Sequence, residues 1–283
     1  MSASLRLALG QVEPLVGDKA GNLQRAEALA GQAAEAGADL LILPEMYLTG
    51  YALGREQTLA LAEPADGPSA QEIAAIAAKH SVAIMYGYPE AATGGTEVFN
   101  TAGFVDSTGD RLLDYRKLHY FGDLDRDQFD PIPGEITASC CPVIPWRGWQ
   151  LGVGICYDIE FPELARQLAV SGADLICVPT ANMVDCDHVQ ELLLPARAVE
   201  NQLYVAYANY CGADSVFEYG GLSQLAAPGG QQTLAGRGEQ LLIAELDRQS
   251  LEASRAENPY LRDRLFQVAP RGAEMTANFP HSS

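Results

Sequence analysis

Short, uninterrupted apolar runs alternate along this chain with longer stretches in which apolar residues return every three or four positions. Residues 5–12 read as a buried strand, and behind them Leu23, Ala26, Leu29, Ala30 and Ala33 share one helical face. The run DLLILP over 39–44 is apolar between Gly37 and Pro44, the pattern of a central strand covered on both faces. The same reading predicts a helix over 70–79, a strand over 82–88, and strands over 101–105 and 111–115 around the turn residues 107–110. Further on, a strand ends at Ile155, a helix starts near Pro162, and an apolar strand occupies 175–179. A helix around 192–201 and a strand over 204–209 then precede a hairpin turning at 228–230. Crossover units mixed with hairpins point to a layered α/β sandwich with mixed sheets. No linker, composition break or short repeat divides the chain, so one domain over 1–283 is expected, its core over about 4–265 and a C-terminal extension after it.

Composition narrows the function classes. A chain of 283 residues can bury a core without disulfide support, and 48% hydrophobic with 19% charged residues is the balance of an ordinary globular protein. A formal charge of -19 sets up a field that repels nucleic-acid phosphates and anionic lipids, so no nucleic-acid or membrane partner is expected. The N-terminal residues carry no basic region and no cleavage site, and no apolar run approaches a membrane span. A cytoplasmic location is therefore expected. Cys140, Cys141, Cys156, Cys177, Cys186 and Cys211 show no CxxC spacing, which fits free thiols in a reducing compartment.

Three segments carry candidate chemistry. In LGVGICYDIEFPE, Cys156 follows an apolar strand and precedes a helix with Pro162 in its first turn. Backbone N–H groups at such a turn can lower a thiol pKa and bind an oxyanion, which makes Cys156 a candidate nucleophile. The alternative, a buried packing thiol, is the reading taken for the other five cysteines. In LLILPEMYLTGY, Glu45 stands at the carboxyl end of a buried strand, where open α/β sheets place their sites and desolvation raises a carboxylate toward a general base. A solvated strand end would explain it equally well. In DYRKLHYFGDLDRDQF, Lys117 ends another predicted strand and could steady a tetrahedral oxyanion, although most lysines are surface charges.

Taken together, PE at Glu45, YRKLH at Lys117 and GICYD at Cys156 resemble, in order and spacing, the Glu-Lys-Cys signature of the carbon-nitrogen hydrolase (nitrilase) superfamily. The likeness extends over EVFNTA before the lysine, FPELARQLAVSGADLICVPTAN and PARAVENQLYVAYANYCG after the cysteine, and YLRDR near the C-terminus. The resemblance implies a four-layer αββα sandwich, pairing of subunits into a dimer, a small-molecule amide substrate, and neither metal nor organic cofactor. True nitrilases tend to carry Trp-Glu after the cysteine, whereas Tyr157 and Asp158 stand here, so the resemblance favours amidase chemistry. Carbamoylase or nitrilase activity through the same triad is the alternative, and a silent dimeric binding module a more distant one. Family members often carry a second glutamate shortly after the lysine; this loop has none, and Asp125 is the nearest match. For the oxyanion the backbone N–H of Tyr157 is expected to join Lys117. Tyr120, Phe121 and Tyr157 are expected to wall the pocket, and Asn182 either lines it or holds the turn after its strand.

Other patterns lead elsewhere. Asp123, Asp125 and Asp127 alternate like a calcium loop, but Gln128 stands where the turn glycine belongs and Gly134 where the bidentate glutamate belongs. His80, His119, His188 and His281 form no zinc spacing, so His119 is read as a polar packing residue. Gly152 to Gly154 lacks the third glycine of a dinucleotide loop, Ser223 lies in no nucleophile elbow, and Arg197 with Glu200 is read as a local ion pair on a helix.

Overall fold

Side chains alternate across a strand, so a strand that is apolar at every position needs a partner on each face. The computed structural model, which describes residues 4–266, supplies both. Strands β1 (Ser4–Gln11), β2 (Leu40–Ile42), β3 (Ala83–Ala91), β4 (Val98–Val105) and β5 (Arg111–Arg116) build one sheet. Strands β6 (Val143–Trp146), β7 (Trp149–Val153), β8 (Leu175–Pro179) and β9 (Tyr204–Ala208) build most of a second. After a two-stranded hairpin, β10 (Cys211–Ala213) and β11 (Glu218–Gly220), the chain adds β12 (Gln224–Ala226) and β13 (Gln232–Leu234) to the second sheet. Strand β14 (Gln240–Asp247) then returns to the first. The six-stranded orders are β14-β1-β2-β3-β4-β5 and β13-β12-β9-β8-β7-β6, each with three parallel strands flanked by antiparallel ones.

The two sheets face one another through Leu5, Leu7, Leu9, Leu40, Ile42 and Met85 on one side and Leu151, Leu175, Cys177 and Ala206 on the other. Their alternates point outward. Ala8, Leu41 and Ile84 pack against α1 (Lys19–Glu35) and, after the short α2 (Arg55–Leu61), α3 (Pro68–His80). Beyond α4 (Gly122–Gln128), helices α5 (Pro162–Val170) and α6 (Leu194–Asn201) cover Ile176, Val178 and Val205. The expected αββα layering is therefore observed, and each fully buried Leu or Ile in it contributes roughly 1.5–3 kcal/mol. Among the described residues no helix is long and apolar enough to cross a membrane.

Departures from the predicted elements have local causes. Strand β2 stops at Ile42 because Pro44 has no N–H to donate, and the chain leaves the sheet just before Glu45. Strand β7 ends at Val153 rather than Ile155, and a 3-10 turn over Cys156–Glu160 intervenes before α5. A π-turn over Val189–Leu193 precedes α6, where one continuous helix is expected. Helices α2 and α4 are seven residues each, too short for a periodic apolar face to stand out. Strand β14 and α7 (Arg248–Glu257) are also unforeseen, and α7 buries only Leu251 and Ser254.

Candidate active site

The carboxyl ends of β2, β7 and β8 converge at one edge of the sandwich, where the Glu45 backbone N–H reaches across to Thr180 O at 3.3 Å. Glu45 is fully buried. Its Oε1 accepts from Asn100 Nδ2 on β4 and from Lys117 Nζ, both at 2.7 Å, whereas Oε2 accepts from no described residue. Lys117 follows β5, with its backbone N–H on Asn100 O at 2.8 Å. The same strand position thus fixes both donors to Glu45. Lys117 is not the surface charge that lysines usually are; it is 0% exposed.

A second carboxylate completes the ring of charge. Asp125, buried in α4, accepts from Lys117 Nζ at 2.6 Å and from the Phe121 backbone N–H at 2.8 Å on Oδ2, and from the Tyr51 hydroxyl at 2.8 Å on Oδ1. Burial alone depresses an ammonium, but Asp125 and Glu45 outweigh it, and Lys117 lies well above the ordinary lysine value. Glu45 is raised above the usual carboxylate value because burial exceeds the pull of Lys117. Two carboxylates thus face one ammonium. The close approach of β3 depends on Gly87, where a Cβ would stand 2.2 Å from Met46 N and 2.8 Å from Glu45 Cα. Met46 itself holds a left-handed φ of 52°.

Cys156 opens the turn after β7 with a φ of 46°, a conformation that is costly for a residue with a side chain and that persists only where the surroundings impose it. Asp158 imposes it. Its Oδ2 accepts from the Ile155 backbone N–H at 3.0 Å and from the Tyr115 hydroxyl at 2.9 Å. Its Oδ1 takes the backbone N–H groups of Leu118 and His119 at 3.2 and 2.9 Å and contacts His119 Nδ1 at 2.8 Å. The cysteine turn is thereby tied to the residues immediately after Lys117. His119 stacks on Phe161 with ring centroids 3.9 Å apart, the polar packing role expected of it. The thiol differs from expectation: burial, then Glu45, raise the Cys156 pKa well above the ordinary value, against Lys117 and a backbone hydrogen bond from Ala181. Burial and the neighbouring carboxylate thus favour the protonated form of this sulfur.

The remaining sequence-predicted residues divide. Phe121 meets the Tyr157 ring edge-on at 5.4 Å, and Tyr157 in turn meets Phe161 at 4.9 Å. Tyr120 turns its hydroxyl to Asp130 O at 2.9 Å. The Asn182 amide donates to Cys186 O and Gln190 Oε1, which holds its own turn, while Asn209 pins the Asn182 backbone. Arg197 pairs with Glu200 at 3.1 Å and donates to the Ile159 and Glu160 carbonyls. Asn100 and Tyr51 give no sequence signal of a site role by themselves. For Asp158 a signal exists, an acidic residue two places after the cysteine, but its partners lie on another strand. Among the described residues no three His, Cys, Asp or Glu side chains are grouped to hold a metal ion, and His281 lies outside those residues.

Strand ends of the two sheets bring Glu45, Lys117 and Cys156 into one buried electrostatic cluster, and sequence comparison identifies the family. The family model for carbon-nitrogen hydrolase matches residues 6–256, and the chain belongs to that family. It is 52% identical over 262 residues to the "Hydrolase in pqqF 5'region" of Pseudomonas protegens, covering 92% of this chain and 89% of that protein. It is 34% identical to an (R)-stereoselective amidase of a Pseudomonas species, with 95% of each chain covered. Among solved structures, an amidase from Nesterenkonia sp. AN1 superimposes with a TM-score of 0.77 at 32% identity, covering 93% of this chain and 95% of that one. That structure is of a glutamate-to-glutamine mutant and shows covalent addition of the acetamide moiety of fluoroacetamide at its active-site cysteine. The protein is an amidase-type hydrolase of the nitrilase superfamily.

Proposed function

We propose that this enzyme hydrolyses a small to medium carboxamide to a carboxylic acid and ammonia through a thioester on Cys156. The observation that carries the reading is the division of labour within one carboxylate: Glu45 Oε1 is fixed by Asn100 and Lys117, while Oε2 has no partner among the described residues, and the Glu45 charge acts directly on the Cys156 thiol. Glu45 Oε2 takes the Cys156 proton as sulfur attacks the amide carbon. The oxyanion that forms is held by the Lys117 ammonium and the Tyr157 backbone N–H. Collapse breaks the C–N bond, and Glu45 returns the proton to the departing ammonia. Glu45 then removes a proton from water, which attacks the thioester; sulfur leaves as the thiol and the acid is released. Asp125 orients Lys117 and supplies the second negative charge that keeps it an ammonium.

The covalent adduct on the cysteine of the Nesterenkonia amidase supports the assignment of Cys156. Intact-mass analysis during turnover of butyramide is expected to show an acyl adduct in wild type and none in Cys156→Ala. Ammonia release is expected to fall by about 10⁴-fold or more; unchanged turnover in the variant would sink the reading. Because Glu45 acts as a base only when ionised and its pKa is raised, kcat/KM is expected to climb with pH across a window above the ordinary carboxylate range.

A further inference from the structure

A cavity of about 330 Å³ is lined by Phe121, Met183, Cys186 and Phe217 together with Asp185 and Glu218. Its walls are tied to the buried charge cluster. Phe121 holds Asp125 through its backbone N–H, and Phe217 packs on the Tyr51 ring at 6.1 Å, whose hydroxyl holds the same carboxylate. Met183 stands two residues beyond Ala181, the backbone partner of the Cys156 sulfur. Phe121, Met183, Val216 and Phe217 give the cavity an apolar lining, and the charged residues added to it are Asp185 and Glu218, both exposed. Glu160, in the same turn as Cys156, adds to this field: burial first, then Glu160, Asp185 and Asp187, push up the thiol of Cys186, another wall residue.

Among the described residues around the cavity, the cations are already engaged by carboxylates. Arg237 pairs with Asp187, donates to Gly220 O and also feels Glu218, while Lys117 is held by Glu45 and Asp125. His188, exposed, interacts electrostatically with Glu160. A carboxylate at the far end of a substrate would therefore meet an excess of like charge, with Arg237 already paired to Asp187, whereas an amine would meet two or three carboxylates.

From the make-up of this cavity we infer that it selects amides by charge, accepting acyl groups that are apolar with a neutral or amine-bearing far end and rejecting those that end in a carboxylate. Asp185 and Glu218 are the specificity-determining residues. The inference rests on the amide-hydrolase reading above and adds the substrate class to it.

The test uses three amides of matched length, butyramide, gamma-aminobutyramide and succinamate, with ammonia release measured for each. The expected result is a preference of about tenfold or more in kcat/KM for the amine-bearing over the carboxylate-bearing amide, shrinking as salt is raised. In the Asp185→Asn, Glu218→Gln double variant the ratio is expected to move toward unity. Glu252→Gln, which removes an exposed charge on α7, should leave it as in wild type. Turnover with succinamate equal to or above gamma-aminobutyramide, or an unchanged ratio in the double variant, overturns the charge selection alone. Ammonia from none of the three overturns the amide-hydrolase reading, and the selection falls with it.

Discussion

The two sheets contribute to the site in different currencies. The first supplies charge: Glu45 after β2, Asn100 on β4 and Lys117 after β5, with Asp125 following in α4, joined side chain to side chain over 2.6–2.7 Å. The second supplies backbone: Cys156 in a left-handed conformation, the Ala181 N–H, and turns pinned by Asp158 and Asn209. Asp158 joins the two halves by gripping Leu118 and His119 from the first sheet's chain while holding Ile155 of the second. The lesson is that a buried charge network and a strained turn need different supports, one electrostatic and one made of hydrogen bonds to the main chain.

Removing the centre of the first half should do the most damage. Lys117→Met strands two buried carboxylates, at a cost to folding stability of about 3–5 kcal/mol in denaturant unfolding. The sign is testable as well. Without the ammonium the folded-state pKa of Glu45 rises further above its unfolded value, so the deficit should grow as pH rises and shrink toward the carboxylate range. A deficit independent of pH would show that the network is not electrostatic in the way described.

Asp158→Asn attacks the second half. The new NH₂ group faces N–H donors instead of accepting from them, with an expected loss of about 2–3 kcal/mol, read by thermal unfolding. If Asp158 positions Cys156, kcat should fall while KM holds, and normal kcat in the folded variant would reduce Asp158 to a structural brace. The mildest change, Tyr51→Phe, removes one hydroxyl from Asp125 and should cost about 1 kcal/mol, with only a several-fold loss of activity. An effect as large as that of Lys117→Met would mean that Asp125, not Lys117, anchors the charge network.

Much of this architecture can be read from local pattern. The apolar runs around β1, β2 and β8 and the periodic faces of α1 and α3 follow from burial on two faces or one. Glu45 and Cys156 stand out because each interrupts an apolar run at a strand end. What escapes is whatever depends on partners distant in sequence. Asn100 looks like an ordinary strand residue until Glu45, 55 positions away, is placed against it, and Asp158 finds its donors about 40 residues back. The direction of the Cys156 pKa escapes for the same reason. Nearby N–H groups suggest lowering, whereas burial and the Glu45 charge, both products of tertiary folding, decide it.

Gly87 carries a consequence for anyone redesigning this enzyme. Position 87 touches no substrate in the mechanism above, yet a single added methyl group there would displace the main chain at Glu45 and Met46. Saturation mutagenesis aimed at the pocket would score it as a catalytic position, although its whole contribution is empty space. Libraries that retune this enzyme should diversify the cavity walls and leave that strand untouched.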